Sequence, residues 1–194
     1  GNLQILEAST DDTELSELID SASRATSRGA ELTGKLLTFA RRQRLVPQSI
    51  DACARLDEIA RLLRRTLGER ITLSIECPSG LPPAKADPTQ LDTALINLVL
   101  NARDSMPHGG DITMQAAERW VQDGDGTLKP GHYIVFSVVD TGQGMTPEVQ
   151  RRAVEPFFTT KGSGRGSGLG LSMVYGFAEQ SGGSLRIESR LGYG

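Results

Sequence analysis

The chain has 194 residues, with 24 acidic against 21 basic side chains, two cysteines, two histidines and 22 glycines. A formal net charge of −3 argues against nucleic-acid binding, and no apolar stretch is long enough to insert directly into a membrane. Cys53 and Cys77 form no CxxC pair, so neither a zinc site nor a disulfide is expected, and a cytoplasmic location fits.

The first third of the chain has the pattern of a long amphipathic helix. Apolar or small residues recur at alternating spacings of three and four, at Leu15, Leu18, Ala22, Ala25, Gly29, Leu32, Leu36 and Phe39. This heptad seam favours a helical hairpin in residues 1–47 that dimerises into a four-helix bundle. A single amphipathic helix lying on its own domain is the alternative. Pro47 ends the pattern.

Residues 48–194 predict a second domain that mixes helices and strands. Asp51 caps a helix that ends at Gly68, and Asp87-Pro88 opens another that reaches about Ser105. The other predicted elements are strands at 71–77, 112–116 and 133–139, a turn-rich connection at 122–131, a helix at 169–180 and a final strand around Leu185 and Ile187. This order predicts an α+β two-layer sandwich, in which a mixed β-sheet has helices on one face.

The helix after Asp87 has a polar face as well as an apolar one. At 100° per residue, Asn97, Asn101 and Asp104 lie close together, away from the stripe of Leu91, Leu95, Leu98 and Ala102. A solvated face would more often carry Lys, Glu or Arg. Amide oxygens suit a hard cation such as Mg²⁺, which commonly binds few protein groups together with phosphate oxygens.

Two glycine-rich segments follow in the second half, which holds seventeen of the glycines. Asp140-Thr-Gly-Gln-Gly144 comes directly after an apolar strand, where the carboxylate needs hydrogen-bond donors such as a purine amino group. An ordinary turn is the alternative. The segment 161–171 alternates glycine with other residues and leads into an apolar helix, which suits a polyphosphate better than a flexible linker does.

Taken in order, these motifs resemble the ATP-binding catalytic domain of sensor histidine kinases, part of the wider family that includes gyrase. The segments similar to its N, G1, F and G2 boxes are 95–106, 140–144, 155–161 and 166–171. The resemblance covers 51–194 and implies the Bergerat ATP-binding fold, with a last glycine motif cut short at 189–194. Residues 15–44 are similar to the second helix of the dimerisation and phosphotransfer domain, whose first helix would be truncated.

The resemblance implies ATP and Mg²⁺ as ligands. Asn101 would bind Mg²⁺ and Asn97 would lie beside the phosphates, both in catalytic roles, while Asp140 would accept a hydrogen bond from the adenine amino group. Residues 144–166 would form a mobile lid with Phe157 and Phe158 as its hydrophobic anchor. The other implied nucleotide-binding residues are Asp104, Gly142, Gly144, Phe158, Lys161, Arg165, Gly166, Gly168, Leu169 and Gly170. Asp104 departs from many kinases, which carry Lys there.

Asn97 also bears on the type of reaction. Gyrase-type ATPases have a general-base Glu one turn before the metal-binding Asn, and an amide cannot take up a proton at neutral pH. Phosphoryl transfer to a delivered nucleophile is therefore favoured over ATP hydrolysis. The resemblance implies that this nucleophile is a His on the first helix of the dimerisation domain. No His precedes His108, so the acceptor is expected outside this chain, and the chain alone is not expected to autophosphorylate.

The resemblance also implies partners. They are a second copy of the chain, bound through the helical segment, and the receiver domain of a response regulator, whose Asp takes the phosphoryl group from the His. Two other functions are weighed against this one. Intact Asn101 and Asp140 argue against a non-catalytic nucleotide-binding scaffold, and Asn97 and the heptad seam argue against a gyrase-type ATPase.

Overall fold

The computed structural model describes residue 22 and residues 45–122, 128–161 and 166–194. The chain divides into two compact units, one of residues 1–43 with 161–167 and the other of residues 44–160 with 168–194. The heptad seam lies outside the described residues apart from Ala22, which is helical. None of the described helices has the length and apolar character needed to cross a membrane.

The second unit contains all the elements named below. Its strands are β1 (Gln48–Ile50), β2 (Ile71–Glu76), β3 (Ala84–Ala86), β4 (Gly110–Val121) and β5 (Gly131–Asp140), and its helices are α1 (Ala52–Leu67), α2 (Pro88–Ser105), α3 (Pro147–Arg152) and α4 (Gly170–Gln180). The larger sheet has the order β2–β4–β5, with a parallel and then an antiparallel pairing. The small strands β1 and β3 pair antiparallel. The predicted mixed sheet is confirmed.

The two long helices begin where their capping residues predict. The Asp51 carboxylate accepts the Ala54 N–H at 3.0 Å, and Gly68, with φ of 77°, follows the end of α1. Asp87 accepts the Gln90 N–H at 3.1 Å and is followed by Pro88 in the first turn of α2. These local signals place both helix starts.

The core lies between these helices and one face of the sheet. α1 and α2 both pack on sheet strands, and α4 packs on α2. The residues that fill this layer are Leu56, Ile59, Leu63 and Leu67 of α1, Leu91, Leu95, Val99 and Ala102 of α2, and Ile112, Met114 and Ala116 of β4. Val99 is fully buried, whereas Leu98, predicted for the apolar stripe, is only half-buried.

The prediction of a final strand around Leu185 and Ile187 is wrong, because residues 183–190 form no strand. Their polar groups bond to a loop and a helix instead of a neighbouring strand. The Ser189 hydroxyl accepts the Met145 N–H at 2.8 Å, and the Ile187 carbonyl accepts Gln150 Nε2 at 2.6 Å. Alternating burial is present, but a strand also needs a partner ladder for its backbone groups.

The expectation of two unpaired cysteines is also wrong. Cys53 and Cys77 are joined by a disulfide, with their Cα atoms 5.6 Å apart. They are 24 positions apart in the sequence, but Cys53 lies at the start of α1 and Cys77 directly follows β2. The fold brings these two points together, which spacing along the chain does not reveal.

Replacing Asp87 with Ala is expected to lower the free energy of unfolding by about 1–2 kcal/mol at neutral pH. Asp87 caps α2 and also accepts the Val46 N–H at 2.9 Å. The hydrogen bonds from Val46 and then Gln90 hold the pKa of Asp87 below its ordinary value of 3.8. This stabilisation is therefore present above that value and is lost as the pH falls through the lower pKa of the folded state.

Urea unfolding at neutral pH and at about pH 3 measures this effect. The difference in unfolding free energy between the unmodified chain and Asp87→Ala should shrink in acid. Asp87→Asn is the control for titration, because Asn keeps one oxygen for the Gln90 N–H, loses the acceptor for the Val46 N–H and does not titrate, so its difference from Asp87→Ala should not change with pH. A difference between the unmodified chain and Asp87→Ala that stays the same in acid would contradict the role given to the carboxylate.

Candidate functional site

Two asparagines of α2 face the first residue of α4. Asn97 and Asn101 lie one helical turn apart and are both half-buried. A Cβ atom placed on Gly170 would lie 3.4 Å from Asn101 Nδ2 and 3.6 Å from Asn97 Oδ1. The structure therefore brings together three residues that the sequence analysis placed in one site. Gly170 leaves open the space beside both amides.

The beginning of α4 has the properties of an anion site. The residue before it, Leu169, is fully buried and supplies no side-chain hydrogen bond to the first turn. The first N–H groups of a helix have no partner within the helix, and together with its dipole they attract negative charge. A phosphate group bound here would lie next to the amides of Asn97 and Asn101.

These residues also fit a magnesium ion. Among residues 45–122, 128–161 and 166–194, no group of three or more His, Cys, Asp or Glu is placed to hold a metal. Mg²⁺ does not require such a group, since it often binds one or two protein oxygens together with substrate phosphates. The Asn101 amide beside an anion site can supply such a ligand.

Asp140 is the last residue of β5 and pairs in register with Ile112. Its Oδ1 atom accepts the Gly142 N–H at 2.9 Å and lies 3.0 Å from the Ser105 hydroxyl. Within the described part of the chain, Oδ2 of this carboxylate has no hydrogen-bond partner. One oxygen is thus held by the protein, and the other is left to accept a donor from a ligand.

The glycines after Asp140 are required by close contacts. A Cβ on Gly142 would collide with the Ser105 hydroxyl, and a Cβ on Gly144 would collide with the Arg190 carbonyl. Gly144 also has φ of 62°, a conformation that L-residues rarely adopt. Both glycines therefore shape the loop that leaves β5.

Phe157 and Gly168, which flank residues 158–167, are hydrogen-bonded to each other. The Phe157 N–H donates to the Gly168 carbonyl at 2.9 Å, and a Cβ on Gly168 would collide with the Phe157 backbone. Phe157 has φ of 69° and a side chain that is 53% exposed. Phe157 therefore contacts Gly168 through its backbone, and its exposed ring does not form the predicted hydrophobic anchor. Phe158 is half-buried under the Arg152 guanidinium, which lies 4.2 Å from its ring centre.

The other predicted binding residues differ in how the structure describes them. Asp104 is exposed and forms an ion pair with Arg103 at 2.7 Å. Arg165 lies outside the described residues, and Lys161 and Gly166 belong to the other compact unit. Two surface grooves, on α1 and beside Cys77, contain none of the predicted site residues.

Sequence reasoning missed Ser105 and Arg152. Ser105 lies four positions after Asn101, so helical spacing places it on the same side of α2. That spacing was the available signal, but a serine at the end of a helix has no distinctive pattern. Arg152 had no comparable signal, because its contact with Phe158 depends on the turn after α3.

The amide pair beside the start of α4 suits phosphates and a cation, and the carboxylate at the end of β5 suits a donor such as the amino group of a base, so both fit a nucleotide. The chain belongs to the histidine kinase-, DNA gyrase B- and HSP90-like ATPase family, whose model matches residues 86–194.

The chain is similar to sensor kinase CckA of Brucella abortus (strain 2308), with 43% identity over 176 residues that cover 87% of this chain and 18% of the relative. The crystal structure of full-length ShkA in complex with AMPPNP matches with a TM-score of 0.72 and 26% identity, over 98% of this chain and 39% of that one. Histidine kinase ThkA in complex with response regulator protein TrrA shares the fold, with a TM-score of 0.65 and 21% identity, over 97% of this chain and 53% of that one. The chain thus spans less than two thirds of the length of each.

Proposed function

We propose that this chain is the ATP-binding catalytic part of a sensor histidine kinase. The observation that carries the proposal is Asn97, which lies beside the start of α4 one turn before Asn101. A gyrase-type ATPase would need a proton-accepting side chain at this turn, and a neutral amide cannot serve. Transfer to a nucleophile brought by another helix agrees with this arrangement and with the names of the relatives.

In this proposal the nucleotide lies along α2, with its base at Asp140 and its phosphates at the start of α4. The adenine amino group donates to Asp140 Oδ2, and the phosphates lie against the first turn of α4 beside Asn97 and Asn101. Mg²⁺ held by Asn101 and phosphate oxygens would neutralise charge that develops on the transferring group. The fit of the amides and the uncapped helix start supports this placement.

The reaction proposed is phosphoryl transfer in two steps. The unprotonated ring nitrogen of the acceptor histidine forms a bond to the γ-phosphorus as the bond to the bridging oxygen breaks, so that ADP leaves, and the other ring nitrogen then gives up its proton to solvent. The phosphoryl group then passes to an Asp carboxylate of a receiver domain. Of the two histidines present, His132 lies on β5 and His108 lies in a turn, so neither is on a helix as the proposed acceptor is.

We further propose that residues 1–47 join two copies of the chain and that a response-regulator receiver domain is the downstream partner. The complex of ThkA with the response regulator protein TrrA supports the receiver-domain partner by analogy. Light scattering gives the mass of the chain in solution and so tests whether it dimerises. A cytoplasmic location is proposed as well, and cell fractionation followed by detection of the chain with an antibody tests it.

The test of the kinase proposal mixes the chain with labelled ATP, Mg²⁺ and a separate domain that carries the complete acceptor helix. Acid-labile label on the acceptor His is the expected result, and a His→Gln acceptor is the matched control. Binding of ATP without any transfer would favour a scaffold. Release of inorganic phosphate at the same rate with and without the acceptor would favour an ATPase. Either result would overturn the kinase proposal.

A further inference from the structure

The Ser105 hydroxyl links the end of α2 to the carboxylate of Asp140. Its Oγ lies 3.0 Å from Asp140 Oδ1 and 2.7 Å from the Ala102 carbonyl. A serine hydroxyl has one proton, so these two acceptors share it. The ionised carboxylate is the stronger acceptor, because charge-assisted hydrogen bonds exceed neutral ones.

A backbone hydrogen bond also joins the end of α2 to the loop after β5. The Gln143 N–H donates to the Ser105 carbonyl at 3.2 Å, so both the backbone and the side chain of Ser105 bond to the loop after β5. Gly142 has no side chain where the Ser105 hydroxyl lies, and a Cβ there would collide with it. The absence of a side chain at Gly142 is thus matched to the presence of a hydroxyl at Ser105.

The consequence concerns the orientation of the carboxylate. Gly142 N–H and Ser105 Oγ both bond to Oδ1 of Asp140, from the loop and from α2 respectively. Two donors on one oxygen restrict rotation of the carboxylate plane and leave Oδ2 as the oxygen that a ligand can use. With Ser105 removed, one donor remains and the carboxylate can turn.

We propose that Ser105 is a positioning residue for base recognition: it holds the Asp140 carboxylate so that Oδ2 accepts the 6-amino group of adenine. This rests on the proposed placement of adenine at Asp140. It extends that placement by assigning part of the selectivity for a 6-amino purine to the end of α2. Ser105 does not touch the reacting phosphates, since its role is transmitted through Asp140.

The test compares two nucleotides that differ only at the 6-position, ATP and purine riboside triphosphate, which lacks the amino group. Ser105→Ala should weaken ATP binding by about 3- to 10-fold and leave the affinity for the analogue unchanged. Thr93→Val is the matched control, because it removes another hydroxyl of α2 that bonds to a backbone carbonyl, that of Thr89 at 2.9 Å. It should change neither affinity.

Three results would overturn the proposal for Ser105 while the proposed function stands. The first is an unchanged affinity of Ser105→Ala for ATP, and the second is an equal loss of affinity for ATP and for the analogue. The third is that Ser105→Ala and Asp140→Ala have fully additive effects on the free energy of ATP binding. Ser105→Cys, which keeps the shape with a weaker donor, decides the question by the same comparison if Ser105→Ala does not fold. If the unmodified chain does not bind ATP, or Asp140→Ala leaves ATP affinity unchanged, the proposed function itself fails.

Discussion

Substituting Asn101 with Ala is expected to weaken ATP binding in the presence of Mg²⁺ by about 100-fold or more, since loss even of a residue that only supports a metal ligand reduces affinity 10- to 100-fold. The physical reason is that Asn101 is the amide next to both Gly170 and the start of α4, where a cation would bridge protein and phosphates. The effect should therefore depend on the metal. In EDTA the unmodified chain and the variant should bind ATP with similar affinity.

Isothermal titration with and without Mg²⁺ measures this dependence directly. Thr93→Val, two turns earlier on α2, is the control for general disturbance of the helix and should keep the full Mg²⁺ effect. An Asn101→Ala variant whose ATP affinity still rises with Mg²⁺ as much as that of the unmodified chain would show that another residue holds the cation. Equal loss of affinity in Mg²⁺ and in EDTA would assign Asn101 to direct phosphate contact.

The elements that could be predicted from sequence are those fixed by local signals. Asp51 and Asp87 begin α1 and α2 because a carboxylate satisfies the first free N–H groups wherever the helix later packs. The alternation of apolar and polar residues in β4 predicts correctly which face of the strand is buried. Ile112, Met114 and Ala116 all lie in the core. These signals act over a few residues, so no knowledge of the rest of the fold is needed.

The elements that could not be predicted depend on contacts between distant segments. Residues 183–190 alternate in burial as a strand does, yet no neighbouring strand pairs with them. The Cys53–Cys77 bond depends on where β2 ends relative to the start of α1. Strands β1 and β3 are three residues each, too short to show a period, and are defined by their pairing.

The same division applies to the candidate site. Helical periodicity places Asn97 and Asn101 on one face of α2, but it cannot reveal that Gly170 lies opposite them. The Asp140 carboxylate was identified from its place after a strand, whereas its bond to Ser105 depends on how the end of α2 meets the end of β5. Sequence therefore identified residue types suited to a nucleotide, and the fold supplied their neighbours.

Gly168→Ala is expected to weaken ATP binding at least about tenfold. Gly168 has φ of 66°, and a left-handed conformation costs an L-residue about 1–2 kcal/mol. The added Cβ would also collide with the Phe157 backbone, whose N–H donates to the Gly168 carbonyl. Gly168 and the Phe157 backbone must move apart to admit the methyl group. Leu169 and Gly170, at the start of α4, would shift with Gly168.

Gly176→Ala is the matched control, because Gly176 lies within α4 and a Cβ there meets no atom within 4 Å. This variant should be more stable by up to about 1 kcal/mol, since Ala is the better helix former, and should bind ATP unchanged. Thermal unfolding with and without ATP separates stability from affinity, and hydrogen exchange at the Phe157 amide reports on its hydrogen bond to Gly168. If Gly168→Ala exchanges faster at Phe157 but binds ATP normally, then the contact between Phe157 and Gly168 is structural and does not shape the phosphate site.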